Sequence, residues 1–268
     1  MTTASLICLG LISGAGAGLL AGLVGIGGGI VVVPVVYYGL VSADVSADQA
    51  AHVAVSTSLA AILPAAVVSS LAHWRSGNAD LAFLREWGPG IALGVVAAQL
   101  AAPYLRGSLL IGVFASFCLL VAFRFAAPGR FRPILERPPS GNARRLSGLG
   151  IGLVSGFAGV GGGIMTNIVM SLSGVSMHKS IGRAAAAGVV VGAPATIVAA
   201  LVPTAGEAAQ LGSINLAIWA CIAPAQAAAA WAGAQLAQRT SSGMLSRIFA
   251  VSLAATGIVM LRSSLASL

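Results

Sequence analysis

The chain has 268 residues, 58% of them apolar and 7% charged, with a mean hydropathy of +0.98. A soluble domain carries about a quarter charged residues, so a soluble enzyme, a nucleic-acid module and a secreted disulfide scaffold are all excluded as leading readings. The 14 basic residues outnumber the 6 acidic ones and leave a net charge of +8, a balance that in a membrane protein marks cytoplasmic loops.

The first five residues, Met1-Thr-Thr-Ala-Ser5, contain no basic residue, so no cleavable signal peptide is expected. The first apolar segment, 4–41, is too long for one crossing. As a single helix it would reach about 57 Å, against a hydrocarbon core of ~30 Å. Gly14, Gly18 and Gly22 recur every fourth residue, as in a small-residue helix-packing stripe. Gly27, Gly28 and Gly29 then follow one another. Each glycine in a helix costs about 1 kcal/mol relative to alanine, so the segment is read as two helical pieces meeting there. Such a break survives at membrane depth only when buried in protein or lining water.

Segment 50–72 follows, with His52 near its start, Ser56-Thr57-Ser58 inside it, and His73-Trp74-Arg75 after it as an interface belt. Segments 88–105, with Gln99, and 107–127 complete a first membrane repeat over 1–127. Residues 128–146 hold five arginines and four prolines and read as a basic, Pro-rich cytoplasmic loop. The second repeat, 147–268, contains apolar segments 147–174, 184–203, 213–237 and 246–261. Cys8, Cys118 and Cys221 lie in apolar runs without a CxxC, so they are read as small hydrophobes, and no metal site or cofactor is expected.

The halves repeat. Gly22-Leu-Val-Gly25-Ile-Gly-Gly-Gly29-Ile returns as Gly156-Phe-Ala-Gly159-Val-Gly-Gly-Gly163-Ile, an offset of 134 residues. Val45 through Pro64 matches Val175 through Pro194 at an offset of 130, and Gln99-Leu-Ala matches Gln235-Leu-Ala at 136. If all eight segments cross fully, Arg106, Lys179, Arg183, Arg239 and Arg247 fall outside. If each Gly-broken segment instead re-enters, only Arg106 and Arg262 do, together with Asp44, Asp48 and Glu207. The positive-inside bias favours the second arrangement. The expected fold is therefore an all-α polytopic membrane protein of two inverted repeats, each a Gly-broken re-entrant hairpin plus about three transmembrane helices. The expected location is a cell membrane of the bacterial inner-membrane type.

The two Gly-x-x-Gly-x-Gly-Gly-Gly elements, Pro34 after the first of them and the hydroxyls Ser56-Thr57-Ser58 resemble the TauE/SafE sulfite exporter family, and the resemblance covers nearly the whole chain. The second element lacks a proline matching Pro34, and Ala186-Ala187-Gly188 stand where the first half has hydroxyls. The resemblance implies transport of a small sulfur-containing or carboxylate anion, such as sulfite, sulfoacetate or another organosulfonate.

Helix N-termini bind anions through backbone N–H groups, and glycine lets backbone approach a ligand. Gly27, Gly28, Gly29, Gly161, Gly162 and Gly163 are thus the expected cradle. Ser56, Thr57, Ser58 and Asn167 are possible donors, with helix-to-helix bonding as the competing role. His52 is a candidate pairing group. Lys179 and Arg183 share a helix face and either attract substrate or mark the cytoplasmic end. No carboxylate lies mid-segment, so an intramembrane carboxylate relay is not expected, while proton or sodium coupling and the oligomeric state stay open. The leading function is a secondary anion transporter working by alternating access. An anion channel is the nearest alternative, and an intramembrane hydrolase using Ser155 has no supporting histidine pattern.

Overall fold

The computed structural model describes residues 3–25, 27–78, 81–126, 135, 137–202 and 210–266. The helices in chain order are α1 (Thr3–Val24), α2 (Gly29–Val41), α3 (Ala47–Arg75), α4 (Leu81–Ala101), α5 (Gly107–Ala126), α6 (Gly141–Ala158), α7 (Gly163–Leu172), α8 (Met177–Leu201), α9 (Leu216–Arg239) and α10 (Ser242–Ala266). A 3-10 turn at Ala102–Tyr104 extends α4. Among the described residues five helices are long and apolar enough to cross a membrane, and the chain is a multi-pass membrane protein. Large apolar side chains such as Leu93, Leu120, Phe123, Ile197 and Val251 point outward, as a lipid-facing surface requires.

Helix α3 forms the centre, since every residue from Val53 to Ile62 is buried, the hydroxyl residues Ser56, Thr57 and Ser58 included. Helices α3 and α8 cross antiparallel, with Gly188 against Ala66 and Gly192 against Leu63. Each half's first helix packs in parallel on the other half's fourth. Gly14, Gly18 and Gly22 of α1 lie on Ile222, Gln226 and Ala230 of α9. A Cβ on Gly18 or Gly22 would come within 2.1 Å of a carbonyl oxygen there, so the spacing of four is a close-packing stripe. Gly148, Gly152 and Gly156 of α6 lie likewise on α4, along Trp87, Ile91 and Val95. Helices α5 and α10 pair antiparallel, with Gly112 against Ser264 and Gly257 against Leu119.

The chain reverses after α1. A continued helix would carry residue 28 about 16 Å beyond Ala17, yet a Cβ on Gly28 would lie 2.7 Å from the Ala17 carbonyl oxygen. Helix α2 runs on to the start of α3, level with the beginning of α1. In the second half α6 begins, and α7 ends, level with the far end of α3. Arg183 of α8, Glu86 of α4 and Arg144 of α6 line one cleft there with Pro138, Pro139 and Ser140.

Three expectations are corrected. Helix α6 starts at Gly141, so the loop expected at 128–146 is shorter; Arg144 and Arg145 are helical, and Arg144 pairs with Glu86. Residues 127–134 and 136, with the prolines and arginines in them, lie outside the described residues, as do Asp80, Glu207 and the side chain of Cys8. His73 is not in an interface belt. Successive helical residues sit about 100° apart, so Trp74 is 53% exposed while His73 is 2% exposed. Finally, the all-α reading missed a hairpin, β1 (Gln210–Leu211) paired antiparallel with β2 (Ile214–Asn215). Its signal was Gly212-Ser213, a two-residue turn of the Gly-X type. Cys118 is buried and Cys221 half-buried, as small hydrophobes.

Candidate functional site

The two glycine breaks meet at the middle of α3. A Cβ on Gly27 would lie 2.9 Å from Ile62 Cγ2 and 3.2 Å from the Gly161 Cα. Gly28 and Gly162 cap α2 and α7 in the left-handed region, at φ 79° and 67°, a conformation L side chains avoid. Gly29 packs on the Gly159 carbonyl and Gly163 is likewise buried. The six glycines expected to cradle an anion thus pack against one another and against Ile62, Val191 and Gln226 in this conformation.

Where α1 and α6 stop, their last carbonyls need partners, and the break-one glycine carbonyl at Gly27 needs one too. Asn167 Nδ2 donates to the Val24 carbonyl at 2.9 Å, while its Oδ1 accepts from Ser180. His73 Nε2 donates to the Gly22 carbonyl at 3.1 Å and Gln226 Nε2 to that of Gly27 at 2.7 Å. In the second half Ser58 Oγ donates to the Gly159 carbonyl at 2.9 Å and Gln99 Nε2 to that of Gly156 at 2.9 Å. Thr57 Oγ1 accepts from the Asn215 amide at 3.0 Å. Of the expected donors, Ser58 and Asn167 are therefore committed to protein groups, while Thr57 is held as an acceptor.

A cavity of about 340 Å³ opens beside the start of α3, at the lower end of ligand-pocket sizes. His52, Ser56, Gln99 and Ser213 give it polar walls, Val55 and Leu110 apolar ones, and Asp48 stands at its mouth. The Ser213 hydroxyl donates to Ser56 Oγ at 2.9 Å. Asp48 Oδ1 accepts from the Gly107 amide at 2.6 Å. His52 Nδ1 lies 2.8 Å from the Asp48 carbonyl and Nε2 3.1 Å from that of Ala102. The ring is thus anchored to backbone at both nitrogens. The floor lies against the second break, where Val55 touches Gly159.

Lys179 and Arg183 are not part of this cavity. They sit near the opposite end of α8, sixteen or more residues from Ala199 in the cavity wall, roughly 24 Å along the helix. Arg183 stacks over Phe83 at 5.9 Å and reaches Met170 Sδ. Pro34 sits inside α2, half-buried, and is not among the residues lining the cavity.

Residues 10–260 match the family model described as sulfite exporter TauE/SafE. The chain belongs to the TauE/SafE sulfite exporter family. It is also 31% identical over 192 residues, 72% of each chain, to a protein of Haemophilus influenzae named as a probable membrane transporter protein. No solved structure matches the chain at a significant level. This TauE/SafE chain is thus a membrane transporter by family. Sequence reading missed Ser213, which only the hairpin brings to the cavity, and did not count Gln99, whose role is double, among the site residues. Gln99 both caps Gly156 and faces the cavity.

Proposed function

We propose that the protein is a secondary transporter of a small sulfur-containing or organic anion, built of two inverted repeats and held here with its site open to the non-cytoplasmic side. The helix directions support the inversion. Antiparallel α3 and α8, antiparallel α5 and α10, and the crossed parallel pairs α1–α9 and α4–α6 are what an axis in the membrane plane produces. Hairpins α1–α2 and α6–α7 then re-enter from opposite sides, as at the centre of many transporters. Lys179, Arg183, Arg144 and Arg145 lie at one end, which the positive-inside rule assigns to the cytoplasm.

The observation that carries the reading is the polar cavity at the other end. There the Ser56 hydroxyl, which accepts from Ser213 and keeps its own proton to donate, replaces part of an anion's water shell beside the Gln99 amide and the anchored His52 ring. The glycine breaks directly beneath are the hinge, and their helix N-termini complete the site as the halves rock.

The test is thermal stability of the detergent-solubilised protein against sulfite, sulfate, thiosulfate, sulfoacetate, taurine and short carboxylates. Ligands of the native state raise the melting temperature by mass action. We expect selective stabilisation by one sulfur oxyanion, sulfonate or carboxylate, lost in Ser56→Ala. No shift with any of them in folded protein overturns the assignment of the cavity to this anion class.

A further inference from the structure

Among the described residues four buried side-chain atoms have no partner in this conformation, Thr166 Oγ1, Gln226 Oε1, Ser69 Oγ and His73 Nδ1, and the last two share one helix. Ser69 and His73 are 1% and 2% exposed, and both lie on one face of α3, four residues apart. Unpaired polar atoms in a core are costly, and nothing in the packing around α3 compensates them.

Their place in the repeat explains them. Helices α3 and α8 are continuous beyond Pro64 and Pro194, so the 130-residue offset holds to their ends. Ser69 is then the counterpart of Ala199, and Ala72 the counterpart of Val202. Ala199 of α8 and Val202, the residue that caps its end, border the outer cavity. On the other side of that cavity, Asp48 and Gln49 of α3 have His178 and Lys179 of α8 as counterparts. At the outer end Ala199, itself only 2% exposed, borders an open cavity, whereas Ser69, Ala72 and His73 are 1%, 6% and 2% exposed and line none of the described pockets.

Resting on the transporter reading above, we infer that Ser69, Ala72 and His73 line a second oxyanion site, which faces the cytoplasm once the outer cavity has closed. In that state Ser69 offers a hydroxyl donor. His73 already donates from Nε2 to the Gly22 carbonyl, so Nδ1 of its neutral ring is an acceptor. An oxyanion therefore meets Nδ1 together with one proton, carried on the anion or taken up by the ring. His178 stands within electrostatic reach of His73, and Lys179 and Arg239 lie at the same end of the molecule, so the exit is cationic. The orphaned atoms of Ser69 and His73 in the present conformation are groups that the other conformation uses.

The experiment measures thiol access in the full-length protein, with Cys8→Ser and Cys221→Ser and with buried Cys118 kept as an internal reference. In inverted membrane vesicles a membrane-impermeant maleimide should modify Ser69→Cys about tenfold or more faster than Cys118, because a minor open state is enough to expose it. Excess sulfoacetate or acetate should slow that reaction. Modification no faster than that of Cys118 overturns the inner site. Access that neither anion slows overturns its assignment to an oxyanion. Ala72→Cys carries the same expectations should Ser69→Cys fail to fold. In right-side-out vesicles Gln49→Cys, at a partly exposed position in the cavity wall, reports the outer cavity alone. If it reacts while Ser69→Cys does not, the inner site falls and the transporter reading stands; if it is inert, the transporter reading itself fails.

Discussion

The two glycine breaks share a backbone but not their supporting side chains. Gly25 and Gly159 both stop a helix in the left-handed region, and Gly28 and Gly162 both start one. Yet the equivalent carbonyls of Gly22 and Gly156 are held by different residues from different helices, His73 of α3 and Gln99 of α4. Asn167 and Gln226 support the first break, and Ser58 supports the second. The repeat thus preserves a demand for donors at broken helix ends and lets each half meet it in its own way. The half supported by Gln99 and Ser58 lies under an open cavity, and the half supported by His73 is closed.

The largest effects should come where the halves are most alike. A Cβ on Gly22 would lie 2.1 Å from the Ala230 carbonyl oxygen, and one on Gly152 2.1 Å from that of Ile91. Backbone cannot yield as a side-chain tip does, so Gly22→Leu and Gly152→Leu should each cost more than about 3 kcal/mol and abolish the folded protein on size exclusion. Gly16 and Gly150, also equivalent, meet nothing within 4 Å. Gly16→Ala and Gly150→Ala should gain up to about 1 kcal/mol from helix propensity. Tolerance of leucine in one stripe but not the other would break the equivalence of the two crossed pairs.

Those stripes were half legible in sequence. Gly14, Gly18 and Gly22 have the spacing of a packing face, and the structure uses them so. Their partner was not legible, because α9 lies some 200 residues away and offers only backbone and alanine to the contact. The breaks themselves were legible, since consecutive glycines are too costly in a helix to be incidental. The cavity was not. His52 and Ser56 stood out by type, but Ser213 reaches them only through a hairpin whose strands are two residues each, too short for alternation to register. His73 was misplaced because a belt was read from adjacent residues, whereas a helix sorts adjacent residues onto different faces.

The next effect is all-or-none and tests the opposed directions of α3 and α8. Gln49 and Lys179 are equivalent positions near the starts of these antiparallel helices. Single cysteines there, Gln49→Cys and Lys179→Cys, should react with an impermeant thiol reagent from opposite faces of the membrane, Lys179→Cys from the cytoplasm. Reaction of both from one face would rule out inverted repeats.

A smaller effect separates Gln99 from Gln235, which share a repeat position but not an environment. Gln99 is buried on the Gly156 carbonyl, and Gln235 is exposed. Gln99→Leu strands that carbonyl and should cost about 1–3 kcal/mol, with loss of anion-dependent stabilisation. Gln235→Leu should stay within about 0.5 kcal/mol of the parent. Thermal unfolding with and without sulfoacetate measures both, and equal losses at the two positions would mean that Gln235 also works as a cap.

The smallest difference lies at the ends of α2 and α7. Both helices close with the same pair of bonds: Val45 N to Leu40 O with Asp44 N to Val41 O, and Val175 N to Met170 O with Gly174 N to Ser171 O. This is the Schellman ending, whose residue beyond the cap takes a left-handed conformation. Glycine occupies that position in the second half at φ 71°, but Asp44 occupies it in the first at φ 63°. A left-handed L residue costs about 1–2 kcal/mol, less for Asp, whose side chain bonds locally. Asp44→Gly relieves that strain but adds freedom to the unfolded chain, worth about 0.4–1 kcal/mol in the opposite direction. The net gain should be no more than about 0.5 kcal/mol. Gly174→Ala pays the strain with no local bond in return and should lose about 1 kcal/mol. Melting temperatures that fall for Gly174→Ala and hold or rise slightly for Asp44→Gly would show that the two turns are one structure under unequal strain. A fall for both would mean that the Asp44 side chain contributes more to the turn than its left-handed backbone costs.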